Sequence, residues 1–298
     1  MRRPLKLYHG SFVLHVLSYL TTDQKVVREA HVWSKLDHKN VLPLIGITTD
    51  FDVSISLVSK WMTIGTAHDY VQDRSVDPRP LVADIARGLY YLHNHPKGPI
   101  IHGDLKGSNV LISDEGHALI SDFGYTHLDK SSFNLTVSPP CGGTLNWMAP
   151  EILDPTEQEN VCSVRSDVWA FGMTILELFT RKSPFHGTES ESDLKLEIMR
   201  GPPERPSVEA TCGRLTGAWW SVCLLCWERD PLSRPTMSVI VKKVDPMMQR
   251  MVGILGLFAY FPPDIIFVGC LRKWSLRLFW LVSWIGYSLF VFMPRRRP

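Results

Sequence analysis

The run His102-Gly103-Asp104-Leu105-Lys106-Gly107-Ser108-Asn109, followed by Ser121-Asp122-Phe123-Gly124, constrains this chain more than any other stretch. It sets three oxygen-bearing side chains, Asp104, Asn109 and Asp122, at fixed separations, with Lys106 between the first two. Hard oxygen donors of this kind suit Mg²⁺, which keeps waters and takes only one or two carboxylates from a protein. Asp104 is suited to orient and deprotonate a hydroxyl, and Lys106 to face a transferred phosphate. Asn109 and Asp122 are candidate metal ligands. Phosphoryl transfer asks for this set, because positioning and electrostatics supply nearly all of its catalysis.

The two runs resemble the catalytic loop and the metal-binding Asp-Phe-Gly motif of eukaryotic protein kinases. Further fragments follow in that family's order. Ala149-Pro150-Glu151 closes a 30-residue segment opened by Asp122, as the activation segment does. Ser166-Asp167-Val168-Trp169-Ala170-Phe171-Gly172 is similar to the start of the long central helix of the large lobe. Arg234-Pro235 resembles the late arginine that pairs with the Ala-Pro-Glu glutamate, here Glu151. The resemblance runs from about residue 7 to 245.

What the resemblance implies is specific. The fold would be α+β and two-lobed, with a small β-rich N-lobe and a larger, mainly α-helical C-lobe. Residues 1–62 would form a partial N-lobe and hinge, 63–246 the C-lobe, and 247–298 a hydrophobic, basic-flanked tail. ATP and Mg²⁺ would be the cofactors. Asp104 would be the base, Lys106 the phosphate-stabilising cation, and Asn109 and Asp122 the metal holders. Ser59 falls at the gatekeeper position, and Lys60, Trp61 and Met62 would offer backbone groups to adenine. Lys106 and Thr144 resemble serine/threonine kinases. Trp61-Met62, Val32-Trp33-Ser34-Lys35-Leu36 and Trp147-Met148-Ala149-Pro150-Glu151 resemble the tyrosine-kinase-like group of fungi. His102 and Phe123 would pack in the family's hydrophobic spine with Trp33 and Leu44.

The chain departs from the family pattern in three places. His15 stands where a lysine should grip the α- and β-phosphates; a histidine is shorter and is neutral for much of its population near pH 7. Glu29 would pair with it or face solvent. No Gly-x-Gly-x-x-Gly occurs, and only six residues precede Leu7. The N-lobe therefore lacks its first strand and glycine-rich loop, or the sequence is a truncated version of a longer one. Gly103 replaces the arginine that would receive an activation-segment phosphate, so Ser131, Ser132, Thr136 and Ser138 read as ordinary loop residues.

Periodicity adds local detail. Residues 5–20 read as two short strands and Thr21 to Leu36 as a helix. Pro78 to His95 reads as a helix, with Leu81, Ile85, Leu89 and Leu92 on one face and Asn94, Pro96 and Gly98 stopping it. Helices are expected from Asp167 to Phe179, Leu215 to Trp227 and Thr236 to Val244. Cys223-x-x-Cys226 lies in an apolar helical run without a second pair, which favours core packing over metal. The six cysteines suggest no disulfide framework, and hence a reducing compartment.

The net charge of +2 is uneven, since residues 251–298 hold six basic residues and one acidic. No basic stripe with interleaved aromatics points to nucleic acid. Leu278 to Met293 carries no charge and is flanked by Arg277 and Arg295-Arg296-Arg297. Three readings stand for this tail: a membrane anchor, an apolar element packed on the lobe or a partner, or a non-biological extension. The expected protein is thus a cytoplasmic kinase acting on a protein substrate, with membrane association through residues 251–298. The alternative is a pseudokinase that docks partners without efficient phosphotransfer.

Overall fold

The computed structural model describes residues 3–9, 12–18, 29–48, 56–123, 127–128, 143–153, 162–188 and 190–258. Its contacts divide the chain into two units, residues 1–248 and 249–298. The first unit begins with a sheet of four strands in the order β1-β2-β4-β3, formed by β1 (Arg3–His9), β2 (Phe12–Ser18), β3 (Leu44–Thr48) and β4 (Ser56–Lys60). All pairings are antiparallel. Strand β4 is central and its first four residues are buried, whereas β3 at the edge exposes Ile45 and Ile47. The two strands expected over residues 5–20 are β1 and β2. Of the helix expected over residues 21–36, the described part is α1, residues 29–33, and residues 21–28 lie outside the description.

The larger, helical lobe follows, so the two-lobed α+β architecture implied by the sequence is the one observed. After the short α2 (Ala67–Tyr70) comes α3 (Pro78–His93). Asp77 caps α3 by accepting from the Arg79 amide, and Pro78 occupies the first turn, where its missing N–H costs nothing. Leu81, Ile85, Leu89 and Leu92 are all buried, as their spacing predicts. Short strands β5 (Ile100–Ile101), β6 (Val110–Ile112), β7 (Ala118–Ile120) and β8 (His127–Leu128) pair as β5 with β8 and β6 with β7.

The chain then forms α4 (Pro150–Leu153), α5 (Val164–Thr180), α6 (Glu191–Arg200), α7 (Gly217–Cys226) and α8 (Met237–Phe258). Every residue of α5 from Ser166 to Phe179 is buried, which makes it the axis of the lobe. It starts three residues before the expected Asp167 because Ser163 and Ser166 close a reciprocal capping box. Helix α6 was not expected: only Leu194 and Ile198 are buried in its polar sequence, too thin a stripe to read. Helix α8 continues past the expected stop at Val244 with Pro246 inside it. Asp245, just before that proline, accepts from Arg87 on α3 at 2.7 Å. The tail segment from 259 onward, with the membrane reading attached to it, lies outside the described residues. Among the described residues no helix is long and apolar enough to cross a membrane.

Helices α5 and α7 meet through a glycine. A methyl group on Gly172 would lie 2.6 Å from Trp227 Nε1 and 2.8 Å from Cys226 Cβ. Neither atom is the loose end of a flexible chain, so Gly172→Ala should overpack the interface and cost about 1–3 kcal/mol. Urea unfolding of the full chain checks this; an unchanged midpoint would mean the interface yields freely.

Candidate functional site

The site is built outward from α5. Asp167, in its first turn and 1% exposed, accepts from the His102 amide at 2.8 Å and the Gly103 amide at 2.9 Å. His93 at the end of α3 contributes its Nε2 at 2.9 Å. Burial alone would push the Asp167 carboxyl up. The His93 bond, the His93 and His102 charges and the Gly103 bond outweigh it and hold the group below its ordinary value. Gly103 sits at φ +79°, backbone that most side chains resist.

His102 is fully buried and bonds through Nε2 to the Ser121 carbonyl at 2.9 Å. Its ring meets Phe123 edge-on at 5.8 Å, and Phe123 packs on Trp33 of α1 at 5.6 Å. The apolar column expected from His102, Phe123 and Trp33 is therefore present, and Leu44 packs against the same core.

Asp104 is held by four donors. Its Oδ1 accepts from the Thr144 amide at 2.8 Å and the Thr144 hydroxyl at 3.0 Å. Its Oδ2 accepts from Lys106 Nζ at 2.9 Å and Asn109 Nδ2 at 2.9 Å. Lys106 Nζ also bonds to Thr144 Oγ1. Asn109 Nδ2 gives its other proton to the Asp104 carbonyl at 2.7 Å. With both amide protons committed, the Asn109 oxygen is the atom that can face a cation.

Asp122 reaches the same end of the site through the β6–β7 hairpin. Val110 pairs with Ile120, and the Ser121 amide bonds to the Asn109 carbonyl at 2.9 Å. Asp122 itself takes φ +62°, rare for a residue with a side chain. One carboxylate and one amide oxygen make a weak cation site alone. They fit Mg²⁺, which draws its remaining ligands from water and from substrate phosphates.

The residues expected to face a nucleotide are placed by β4 and the segment after it. Ser59 is 1% exposed, and Met62 is buried with its carbonyl taken by the Gly65 amide at 3.2 Å. Of the backbone groups expected to face adenine, that carbonyl is already engaged. Trp61 is half-buried, and Lys60 turns its side chain out to Asp114 at 2.9 Å. His15 lies on β2 opposite Ser59 in the strand register. Glu29 is buried on α1, and its expected pairing with His15 involves a side chain outside the described residues.

Several contributors escaped sequence reasoning. Lys60 and Thr63 both bond to Asp114 in the β6–β7 turn. Glu177 on α5 bonds to the Gly107 amide. No motif marks these pairs, which lie about 50 to 70 residues apart. Burial raises the thiols of Cys223 and Cys226 on α7, in keeping with core packing. Cys162 is disulfide-bonded, a bond that the reading of no disulfide framework did not anticipate.

Comparison with known proteins agrees with this geometry. Residues 14–244 match the model of the protein tyrosine and serine/threonine kinase family. The probable serine/threonine-protein kinase drkC of Dictyostelium discoideum is 31% identical over 240 residues, 75% of this chain and 29% of its own length. Human mitogen-activated protein kinase kinase kinase 10 is 31% identical over 76% of this chain and 24% of its own length. Bovine receptor-interacting serine/threonine-protein kinase 2 is 27% identical over 83% of this chain and 48% of its own length. The chain thus spans from about a quarter to about half of the length of these relatives.

The Asp167 anchor has a measurable signature. Asp167→Asn keeps the shape but sets an NH₂ donor against one of the two backbone amides, which loses its acceptor, and should cost about 1–3 kcal/mol at pH 7. Because the folded state holds this carboxyl below its ordinary value, its stabilisation is complete above the unfolded pKa near 4. It is lost as pH falls through the lower folded value. Urea unfolding at pH 7 and in steps below pH 4 should show that acid loss in the wild type and a shallower one in Asp167→Asn. Parallel curves would mean that another carboxylate governs acid unfolding.

Proposed function

The chain belongs to the protein tyrosine and serine/threonine kinase family, and we propose that it transfers the γ-phosphate of Mg·ATP to serine or threonine hydroxyls of a protein. The observation that carries this reading is the Asp104–Lys106–Thr144–Asn109 cluster, in which base, cation and amide already bond to one another. Asp104 would receive and orient the attacking hydroxyl. Lys106, pinned between Asp104 and Thr144, would place its charge beside the group in flight, where a fixed cation acts most strongly. Asn109 and Asp122 would hold Mg²⁺, which when bound neutralises charge on the phosphates. The serine/threonine preference rests on Lys106 and Thr144 and on the names of the relatives. The reading places the domain in the cytoplasm with its ATP, residues 251–298 being the candidate membrane anchor.

A second reading, a pseudokinase that docks a protein partner, draws on His15. Its register opposite Ser59 puts a weaker, titratable cation on the strand where the family carries lysine. Two measurements separate the readings. Saturation of the full chain with Mg·ATP at about 100 times Kd should add ~2.7 kcal/mol of stability. Asp122→Asn should abolish the magnesium-dependent part of that thermal shift. No shift in a cooperatively unfolding wild type would end the enzyme reading. His15→Lys should raise phosphotransfer to a generic protein substrate by tenfold or more, since each ~1.4 kcal/mol of transition-state contact is a factor of ten. A folded His15→Lys protein that binds Mg·ATP yet transfers nothing would favour docking.

A further inference from the structure

Glu177 is a carboxylate with an unusual set of partners. It lies on α5, ten residues after Asp167, and is 1% exposed. Its Oε2 accepts from the Gly107 amide at 2.8 Å and from the Trp147 indole at 3.0 Å. Its Oε1 lies 2.7 Å from Nδ1 of His68 on α2. One buried side chain therefore joins the catalytic loop, the segment ahead of Ala149-Pro150-Glu151, and the helix that follows the hinge. Gly107 fits because it has no side chain: a Cβ there would lie 2.6 Å from Glu177 Oε1.

We infer that Glu177 is a positioning residue for the Lys106–Asn109 segment, and that protonation of His68 sets how firmly it holds. A carboxylate this deep needs a cation or several donors to offset the loss of water. Gly107 and Trp147 supply two neutral donors, and His68 is the cation in contact. The 33% of its side chain that stays exposed lets its proton exchange with solvent. The Glu177 bond raises the imidazole above its ordinary value, against burial, with the Glu177 and Asp69 charges adding to the rise. The sign follows. The ion pair is complete below the ordinary histidine value near 6.5 and is lost as pH climbs through the raised one. Other charges on the packed elements are Asp69 on α2, Lys106 beside Gly107, which is committed to Asp104 and Thr144, and Arg181 at the C-cap of α5; α7 brings none. On the alkaline side Glu177 keeps only its neutral donors, and its grip on the Gly107 amide loosens.

The inference rests on the kinase reading for its catalytic consequence but not for its structural one, so the test uses both readouts on the full chain. Hydrogen exchange of the peptide covering residues 105–109, corrected for the intrinsic pH dependence, should lose about fivefold or more in protection between pH 6 and pH 9. His68→Asn should remove that pH dependence, and Gly107→Ala should lower protection at every pH. In phosphotransfer, Glu177→Gln should lower kcat about ten- to a hundredfold with little change in the KM for ATP. His68→Asn should erase the matching step in the pH profile of kcat. A wild type that transfers no phosphate would sink the kinase reading and leave the exchange result to decide the clamp. The clamp is overturned if His68→Asn keeps the wild-type pH dependence of exchange, an arm that stands even where Glu177→Gln fails to fold.

Discussion

The site depends on one buried negative charge. Asp167 is withdrawn from water, and what makes that tolerable is that its acceptors meet the backbone of His102 and Gly103 and the imidazole of His93. Its partners are therefore fixed by necessity. A catalytic loop is irregular backbone without a ladder of its own, and here a helix buried along its length lends it one. The left-handed backbone at Gly103 lets both amides turn toward the same carboxylate.

Glu177 completes the arrangement at the other end of the loop. Ten residues of helix cover about 15 Å. The five residues from His102 to Gly107 reach about 16–18 Å when extended, and Lys106 is in extended backbone. The loop can therefore run alongside α5, pinned at both ends by carboxylates on one rigid element. A second clamp secures the segment beyond it. Arg234, whose side chain is fully buried, donates to both oxygens of Glu151 at 2.6 and 2.7 Å and lies over Trp169 of α5. Paired bonds of this kind fix direction as well as distance. Helix α5 is thus the common reference for Asp104, Lys106 and the segment ending in Glu151.

Much of this was legible before any coordinates. Asp104, Lys106, Asn109 and Asp122 announce themselves by residue type and spacing, and Thr144 and Arg234 by their place in an ordered set of motifs. Helix α3 was readable because one apolar stripe and a clear stop coincide. What escaped was set by tertiary contact alone. Helix α6 survives on two buried side chains, and α8 passes through a proline that local rules would use as a terminator. Glu177 and His68 are ordinary polar letters on their own helices, 109 positions apart, and acquire meaning only when the lobe closes around them. The Lys60–Asp114 pair across the hinge is of the same kind.

The four donors around Asp104 have a consequence for selectivity. A carboxylate offers about four lone-pair positions, and here all four are engaged. A hydroxyl entering this site would have to exchange with a partner already in place. A lone water arrives with nothing to offset that exchange, whereas a hydroxyl carried on a docked polypeptide brings the rest of its binding energy with it. On the kinase reading, saturation of Asp104 would be a barrier to idle hydrolysis of a bound nucleotide, one set by the crowding of lone pairs.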